Sequence, residues 1–347
     1  RWKGARNIMT AVRPDFEYDT ADYSGYSVLV TGASGVLGSG VAKALVDAGA
    51  AVTVLQRSPS GLAGVREIQG SITSRADVAA AVQAVDTVVH IAAKVSVSGP
   101  LEEYEHVNIE GTRLLLEAAQ QAGVQRWVHI SSPSVAHTGT SIIGASAEPA
   151  DPTTARGHYA ATKAAGELLA LEADSPDFRV LVLRPHLMWG PGDTQLTERI
   201  IDRARRNRLP LLDGGTALVD TLFSVNAVEA IIAAIAAVDR THGEPLVLTN
   251  GQPRPIGEMI RRIAVAGGAQ EPRLNLPSGL AKTAGSIIES FWDAEQRGDE
   301  PPITRFLAEQ MSTAHWFDQR RTQEVLQWRP RISLEEGFEL TRQYYNP

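Results

Sequence analysis

Tyr159 and Lys163 stand four residues apart in the stretch Tyr159-Ala-Ala-Thr-Lys163. On a helix that spacing puts both side chains on one face. A free tyrosine has a pKa of about 10 and is a poor acid or base near neutrality. An ammonium beside it favours the phenolate and lowers that pKa. Tyr159 can then give a proton to a developing alkoxide or take one from an alcohol. Ser132 follows the apolar run Arg126 to Ile130 and can hydrogen-bond a reacting oxygen. Each feature also has an ordinary explanation: an exposed Tyr and Lys on an amphipathic helix, and a serine closing a strand.

These side chains need a scaffold, and the chain supplies one upstream. Val28 to Thr31 is an apolar run ending in Gly32-Ala33-Ser34-Gly35-Val36-Leu37-Gly38. The glycines form G-x-x-G-x-x-G, a variant of the dinucleotide-binding fingerprint. Gly32 permits a tight turn, Gly35 lets the backbone approach a pyrophosphate, and Gly38 lets the following helix pack closely. The helix N-terminus offers free N–H groups to the phosphates. Ordinary turns also use glycine.

From Tyr26 on, strands and helices alternate. Strands are predicted at Ala51 to Leu55, Val65 to Gln69, Thr87 to Ile91, Arg126 to Ile130 and Arg179 to Leu183. Helices are predicted at Ser74 to Ala84, Glu103 to Ala122 and His158 to Ala173. This alternation implies an α/β fold, a doubly wound, mostly parallel sheet. The open-sheet rule places ligands beyond the carboxyl ends of the strands, where Ser132 lies. After Arg184-Pro185 the pattern loosens. A helix at Ile200 to Asn207, a strand at Val219 to Val225, a helix at Asn226 to Val238, a strand at Leu246 to Thr249 and a helix at Glu258 to Ala266 are predicted. The expected organisation is an extension at 1–25, a Rossmann domain at 26–185 and 217–250, and a smaller, discontinuous substrate domain at 186–216 and 251–347.

With 347 residues and 43% hydrophobic content, the chain can bury a sizeable core. A net charge of -7 argues against nucleic acid as a partner. There is no cysteine, which excludes disulfides, thiolate metal sites and a cysteine nucleophile. No metal is expected. No secretory signal is read, and the longest clean apolar run, Ala230 to Val238, falls short of the roughly 20 residues that span a bilayer. A cytoplasmic location is expected.

Taken together, in order and spacing, the glycine turn, Ser132, Tyr159 and Lys163 resemble the extended short-chain dehydrogenase/reductases over about residues 27–260. His90-Ile-Ala-Ala93, Asn108-Ile-Glu-Gly-Thr112 and Leu183-Arg-Pro185 support the match. The resemblance implies Tyr159 as general acid/base, Lys163 also on the nicotinamide ribose, and Ser132 on the substrate oxygen. The family's Ser-x-x-Val falls on Ser132-Pro-Ser-Val135 and selects Ser132 over Ser131. It further implies cofactor contacts from Gly32, Ser34, Gly35, Val36, Leu37, Gly38, Arg57, Ser58, Ile72, Ala92, Ala93, Lys94, Tyr159, Lys163, Pro185 and Leu187. Ser134, His186, Met188 and Trp189 are the candidate substrate contacts.

Two departures matter. Where NAD-preferring members carry an acid after the second strand, this chain reads Gln56-Arg57-Ser58. Arg57 can pair with a 2′-phosphate, so NADP(H) is expected with NAD(H) as the alternative, unless Arg57 is only a solvated loop residue. The family's Gly-Asp is Gly70-Ser71, which leaves Ile72 to cover the adenine. Leu187 replaces the sugar-nucleotide Asn of the epimerases and dehydratases in Arg184-Pro-His-Leu-Met-Trp-Gly190.

Ser131 to Val135, Leu183 to Asp193 and Thr304 to Asp318 are similar to the 3β-hydroxysteroid dehydrogenase branch. Through Leu326-Gln-Trp-Arg-Pro330 they resemble the bacterial 2-alkyl-3-oxoalkanoate reductases of olefin biosynthesis more closely. That implies NADPH-dependent reduction of a long-chain β-keto acid. The alternatives are a steroid dehydrogenase, a UDP-sugar epimerase or dehydratase, and a non-catalytic NADP-sensing regulator, which the retained Tyr and Lys disfavour. The expected partners are a small apolar ketone or alcohol, a second copy of the chain as a homodimer, and a membrane surface or pathway enzyme in peripheral contact. Leu280, Ile287, Ile288, Phe291 and Trp292 form an apolar stripe that can wall a pocket, touch a membrane or simply pack on the core. Arg199, Arg203, Arg205, Arg206 and Arg208 form a basic run that can attract a carboxylate or be a solvated face.

Overall fold

In the computed structural model, the described residues are 15–95, 99–137, 139–280 and 311–346. The first half builds β1 (Ser27–Thr31), α1 (Val36–Asp47), β2 (Ala51–Gln56), β3 (Val65–Gln69), α2 (Arg75–Ala81) and β4 (Thr87–His90). Then come α3 (Leu101–Tyr104), α4 (Thr112–Gln121), β5 (Arg126–Ile130), β6 (Ile142–Ala145), α5 (Gly157–Glu172) and β7 (Arg179–Pro185). The second half has β8 (Met188–Trp189), α6 (Thr197–Arg205), β9 (Leu211–Leu212), β10 (Leu218–Val219), β11 (Leu222–Phe223), α7 (Ser224–Ala237) and β12 (Glu244–Leu248). β13 (Arg254–Pro255), α8 (Ile256–Ala266), β14 (Asn275–Leu276), β15 (His315–Phe317), α9 (Arg320–Leu326) and α10 (Leu334–Tyr345) complete it.

Seven strands form one parallel sheet in the order β12-β7-β5-β4-β1-β2-β3. Its central strands are continuous apolar runs because both faces are covered. On one face Val28 and Val30 meet Val41 and Leu45 of α1 and Ile231 and Ile235 of α7. On the other, Leu29, Val88 and Trp127 meet Val78 of α2, Leu115 of α4 and Ala170 of α5. The strand order reverses between β1 and β4, and that switch point is where an open α/β sheet binds ligands. Above β7 a second lobe gathers α6, α8 and α10 around Trp189, Phe223, Ile260 and Phe338. A small sheet, β13-β10-β15-β6, flanks this lobe.

Three differences from the sequence reading have physical causes. The stretch read as an extension packs on the core through Phe16, Tyr18 and Tyr23: Tyr23 is buried and its hydroxyl donates to the Ile232 carbonyl at 2.7 Å. The helix predicted from Glu103 to Ala122 is broken by a π-helical turn, Glu105–Gly111, between α3 and α4. There Asn108 turns inward and its side chain binds both backbone groups of Lys94. The strand predicted at Val219 to Val225 is split, because Asp220 turns aside to accept from Thr249 Oγ1 at 2.7 Å and Gln252 N at 3.1 Å. Helix α10, closed by a capping box between Ser333 and Glu336, has no counterpart in the sequence reading. In the basic run Arg205 binds the Gly267 carbonyl at 2.7 Å and Arg206 pairs with Asp202, while Ile200, Ile201 and Ala204 face the core. Leu280 is exposed, and the remaining stripe residues to Trp292 lie outside the described residues. Among the described residues no helix is long and apolar enough to cross a membrane.

Candidate active site

The glycine turn sits at the switch point, and its three glycines serve different needs. Gly32 has φ +77°, and a Cβ there would lie 3.0 Å from Ala92 N on the loop after β4. A Cβ on Gly38 would stand 2.3 Å from the Gly32 carbonyl oxygen, which fixes how closely α1 approaches β1. Around Gly35 the nearest atom to an added Cβ is Gly32 O at 3.7 Å, so the protein itself leaves that space open. Gly35 precedes α1 with no side-chain cap, leaving first-turn N–H groups to a ligand. Ser34 and Gly35 are exposed, Val36 and Leu37 half-buried. An open cradle with uncapped donors fits a dinucleotide pyrophosphate.

On the adenosine side Arg57 and Ser58 are exposed at the end of β2. Gln56 Nε2 donates to the Ser58 carbonyl at 2.7 Å, and Gln69 Nε2 to the Arg57 carbonyl at 3.2 Å, so the backbone of this corner is held. Asp77 of α2 accepts from Ser71 N at 2.9 Å. Ile72 departs from its expected role: it is buried, and its branched end fills the space left by the missing Cβ of Gly111. Little of it remains to face an adenine. Ala92 N bonds Thr31 Oγ1, and Lys94 Nζ turns away to Glu103 at 2.6 Å.

Ser132 begins a 3₁₀ turn, Pro133–Ala136, immediately beyond β5. Its Oγ lies 2.9 Å from Ser134 Oγ, and it is near enough to the half-buried Tyr159 phenol on α5 to pull that phenol's pKa down. Ser131, by contrast, is buried and its backbone N–H bonds Leu183 O at 2.7 Å. Lys163, one turn after Tyr159, is buried and donates to the Ile130 carbonyl at 2.6 Å. The helix bearing Tyr159 is therefore tied to the strand end that carries Ser132.

The electrostatics differ from the sequence expectation that Lys163 lowers the Tyr159 pKa. Burial raises the phenol above its usual range, and Ser132 opposes that shift. Lys163 directs one N–H to the Ile130 carbonyl, and burial brings its own pKa down to about 8, with Glu167 opposing. The structure thus favours the proton-bearing phenol.

A shell of buried polar groups holds this arrangement. Asn108 Nδ2 donates to Thr162 Oγ1 at 3.1 Å, between Tyr159 and Lys163 on α5. The Asn108 carbonyl would stand 2.6 Å from a Cβ on Gly166, so the two helices touch here. Glu167, one turn beyond Lys163, makes a fully buried two-pronged pair with Arg184 of β7. Arg184 also donates to the Glu148 carbonyl at 2.6 Å. The sequence reading assigned no role to Glu167, although its spacing of four from Lys163 was a usable signal.

The substrate-side residues divide. Pro185 and Met188 are half-buried, and Ser134 stays on the Ser132 turn. His186 is buried, with Nδ1 2.6 Å from the Asp220 carbonyl. Leu187 has φ +44°, a region that Asn tolerates far better than Leu. Trp189 does not line a pocket. Pairing of β8 with β11 sets its ring between Phe223 and Phe338, at centroid distances of 5.1 and 4.7 Å, and its Nε1 bonds Thr221. His137, His315 and Asp220 join His186, and the sequence reading missed all three.

A doubly wound parallel sheet with an open glycine cradle at its switch point defines a dinucleotide-binding protein, and its reductase and dehydrogenase relatives make it an NAD(P)-dependent oxidoreductase. The chain belongs to the NAD dependent epimerase/dehydratase family, which it matches over residues 28–248. It is 35% identical over 320 residues to a 2-alkyl-3-oxoalkanoate reductase of Stenotrophomonas maltophilia, covering 90% of this chain and 97% of that protein. It is 28% identical over 334 residues to a 3-beta-hydroxysteroid dehydrogenase of Mycolicibacterium neoaurum, covering 92% and 91%. Among solved structures it resembles MoeE5 in complex with UDP-glucose and NAD, with TM-score 0.71, 26% identity and coverage of 92% and 98%.

Proposed function

We propose that the protein reduces the 3-keto group of a long-chain 2-alkyl-3-oxoalkanoic acid to the 3-hydroxy acid, with NADPH as donor. The observation that carries the chemistry is the placement of Ser132, Tyr159 and Lys163 together at the carboxyl end of β5, with Lys163 tied to the Ile130 carbonyl. The substrate class is carried over from the reductase that matches nearly the whole chain. The bound cofactor supplies a hydride to the keto carbon. Ser132 donates a hydrogen bond to the keto oxygen, and Tyr159 gives its proton to the alkoxide as it forms. Lys163 has three N–H donors. One is held by Ile130, leaving others for the nicotinamide ribose. Asn108 and Glu167 keep α5 in register. Leu187, in place of Asn, disfavours a sugar-nucleotide substrate.

Substrate choice is tested with a homologous series of 2-alkyl-3-oxo acids beside a 3-oxosteroid and a UDP-hexose, all with NADPH. Each buried methylene contributes about 0.8 kcal/mol, so kcat/KM should rise roughly severalfold per added carbon until the pocket fills. A flat profile with the steroid turned over best would transfer the reading to a steroid dehydrogenase.

Cofactor choice is read at Arg57. Arg57→Ala should weaken NADPH about 10- to 150-fold while leaving NADH nearly unchanged, since a charge-assisted hydrogen bond contributes roughly 1.5–3 kcal/mol. Fluorescence titration of both cofactors checks this. Equal losses for the two would remove Arg57 from the 2′-phosphate.

A further inference from the structure

His137, His186 and His315 come together from three separate elements: the end of the Ser132 turn, the residue after β7, and β15. The His137 and His315 rings are 4.8 Å apart and edge-on, and the His186 and His315 rings 6.0 Å apart. Phe317 backs His186 at 5.0 Å. All three histidines are buried. The cluster adjoins the reacting groups. His137 N bonds the Ser134 carbonyl on the turn that Ser132 opens, and β7, which leads into His186, pairs with β5, which leads into Ser132.

The tautomers that the contacts imply define the chemistry. His186 Nδ1 donates to the Asp220 carbonyl, which leaves Nε2 to accept or, once protonated, to donate. His315 Nε2 is 2.8 Å from Thr313 Oγ1, while its buried Nδ1 meets no hydrogen-bond partner among the described residues. An unsatisfied buried polar atom is unfavourable and asks for a partner. Asp220 is the acid that touches the cluster, but its carboxyl is turned to Thr249 and Gln252. Burial, with the neighbouring imidazoles, holds His186 and His315 neutral. Such a cluster takes up a proton when an anion arrives beside it.

We propose that His137, His186 and His315 form the subsite for the substrate carboxylate, which in a 3-oxo acid lies on the carbon next to the ketone held by Ser132 and Tyr159. This rests on the keto-acid reading above. On binding, a proton from solvent adds to the cluster, at His186 Nε2 or His315 Nδ1, and the imidazolium pairs with the carboxylate.

The test uses the full chain loaded with NADPH, titrated with 2-butyl-3-hydroxyoctanoate or its methyl ester, a product complex that cannot turn over. The acid should bind roughly ten- to a hundredfold more tightly than the ester. Calorimetry at pH 7.5 in two buffers of different ionisation enthalpy should show proton uptake for the acid and none for the ester. That pH lies above the titration of Asp220, whose pKa burial raises to about 6. His186→Asn keeps a donor for the Asp220 carbonyl and removes Nε2. His315→Gln keeps a donor for Thr313 and removes Nδ1. Both should retain NADPH binding, lose most of the acid preference and take up less proton. Equal binding of acid and ester by the unaltered protein, or a preference and proton uptake unchanged in both variants, would overturn the subsite. If the matching 3-oxo acid and ester are nonetheless both reduced, the keto-acid reading stands without it. If neither is reduced and a 3-oxosteroid is, the reading itself fails and the subsite goes with it.

Discussion

Tyr159→Phe should leave a folded protein that binds cofactor normally and turns over roughly 10²–10⁴-fold more slowly, the contribution typical of a general acid. The ring and its packing are kept; only the proton donor is removed. Ser132 would keep its partner Ser134, so the turn that presents it should not collapse. Burial raises the Tyr159 pKa, so the phenol holds its proton across the neutral range. Reduction should therefore be nearly independent of pH there. The rate should fall as pH rises past about 8, where Lys163 gives up its ammonium charge. Single-turnover reduction monitored by loss of NADPH absorbance separates this step from cofactor binding. A variant with near-native kcat would take the proton-donor role away from Tyr159.

Most of the parallel sheet was legible because its signals are local. Val28-Leu29-Val30 and Thr87-Val-Val89 are apolar runs bounded by turns, and a strand buried on both faces demands that pattern. The glycine turn was legible for a similar reason: Gly38 answers to Gly32 on the same turn, although Gly32 also answers to Ala92 on the distant loop after β4. Tyr159 and Lys163 shared a helix face as their spacing required, yet their electrostatic relation did not follow from spacing. The Lys163 ammonium directs one N–H to Ile130, 33 positions away in sequence. Trp189 misled because a two-residue strand decides which way its ring turns, and β11 and α10 supply its partners from distant parts of the chain. The π-helical turn at Asn108 leaves no period in the sequence; it exists because Asn108 must reach Lys94 and Thr162 at once. His137, His186 and His315 could not be grouped beforehand, since three elements of no fixed spacing bring them together.

Glu167→Leu should destabilise the fold by about 3–5 kcal/mol, the range for removing one member of a buried ion pair. Arg184 is 1% and Glu167 0% exposed at the side chain, so neither can recover its loss from water. The two single variants should not be equal. Glu167 also acts on Lys163, whose pKa it raises against burial. Its removal leaves two buried cations facing one apolar side chain. Arg184→Met leaves Glu167 with Lys163 still one turn away, so it should lie at the lower end of the range. The double variant, Arg184→Met with Glu167→Leu, removes both charges and should recover much of the loss, because an apolar pair of similar volume can replace a buried ion pair at little or no net penalty. Urea unfolding of the four proteins, analysed as a double-mutant cycle, measures these differences. In the double variant Lys163 no longer has Glu167 to support its charge. Its pKa should drop, and the alkaline fall in reduction rate should move to lower pH even though the fold is restored. A recovered stability with an unmoved pH profile would show that the pair holds β7 to α5 and nothing more; a shifted profile would make Glu167 the residue that keeps Lys163 charged.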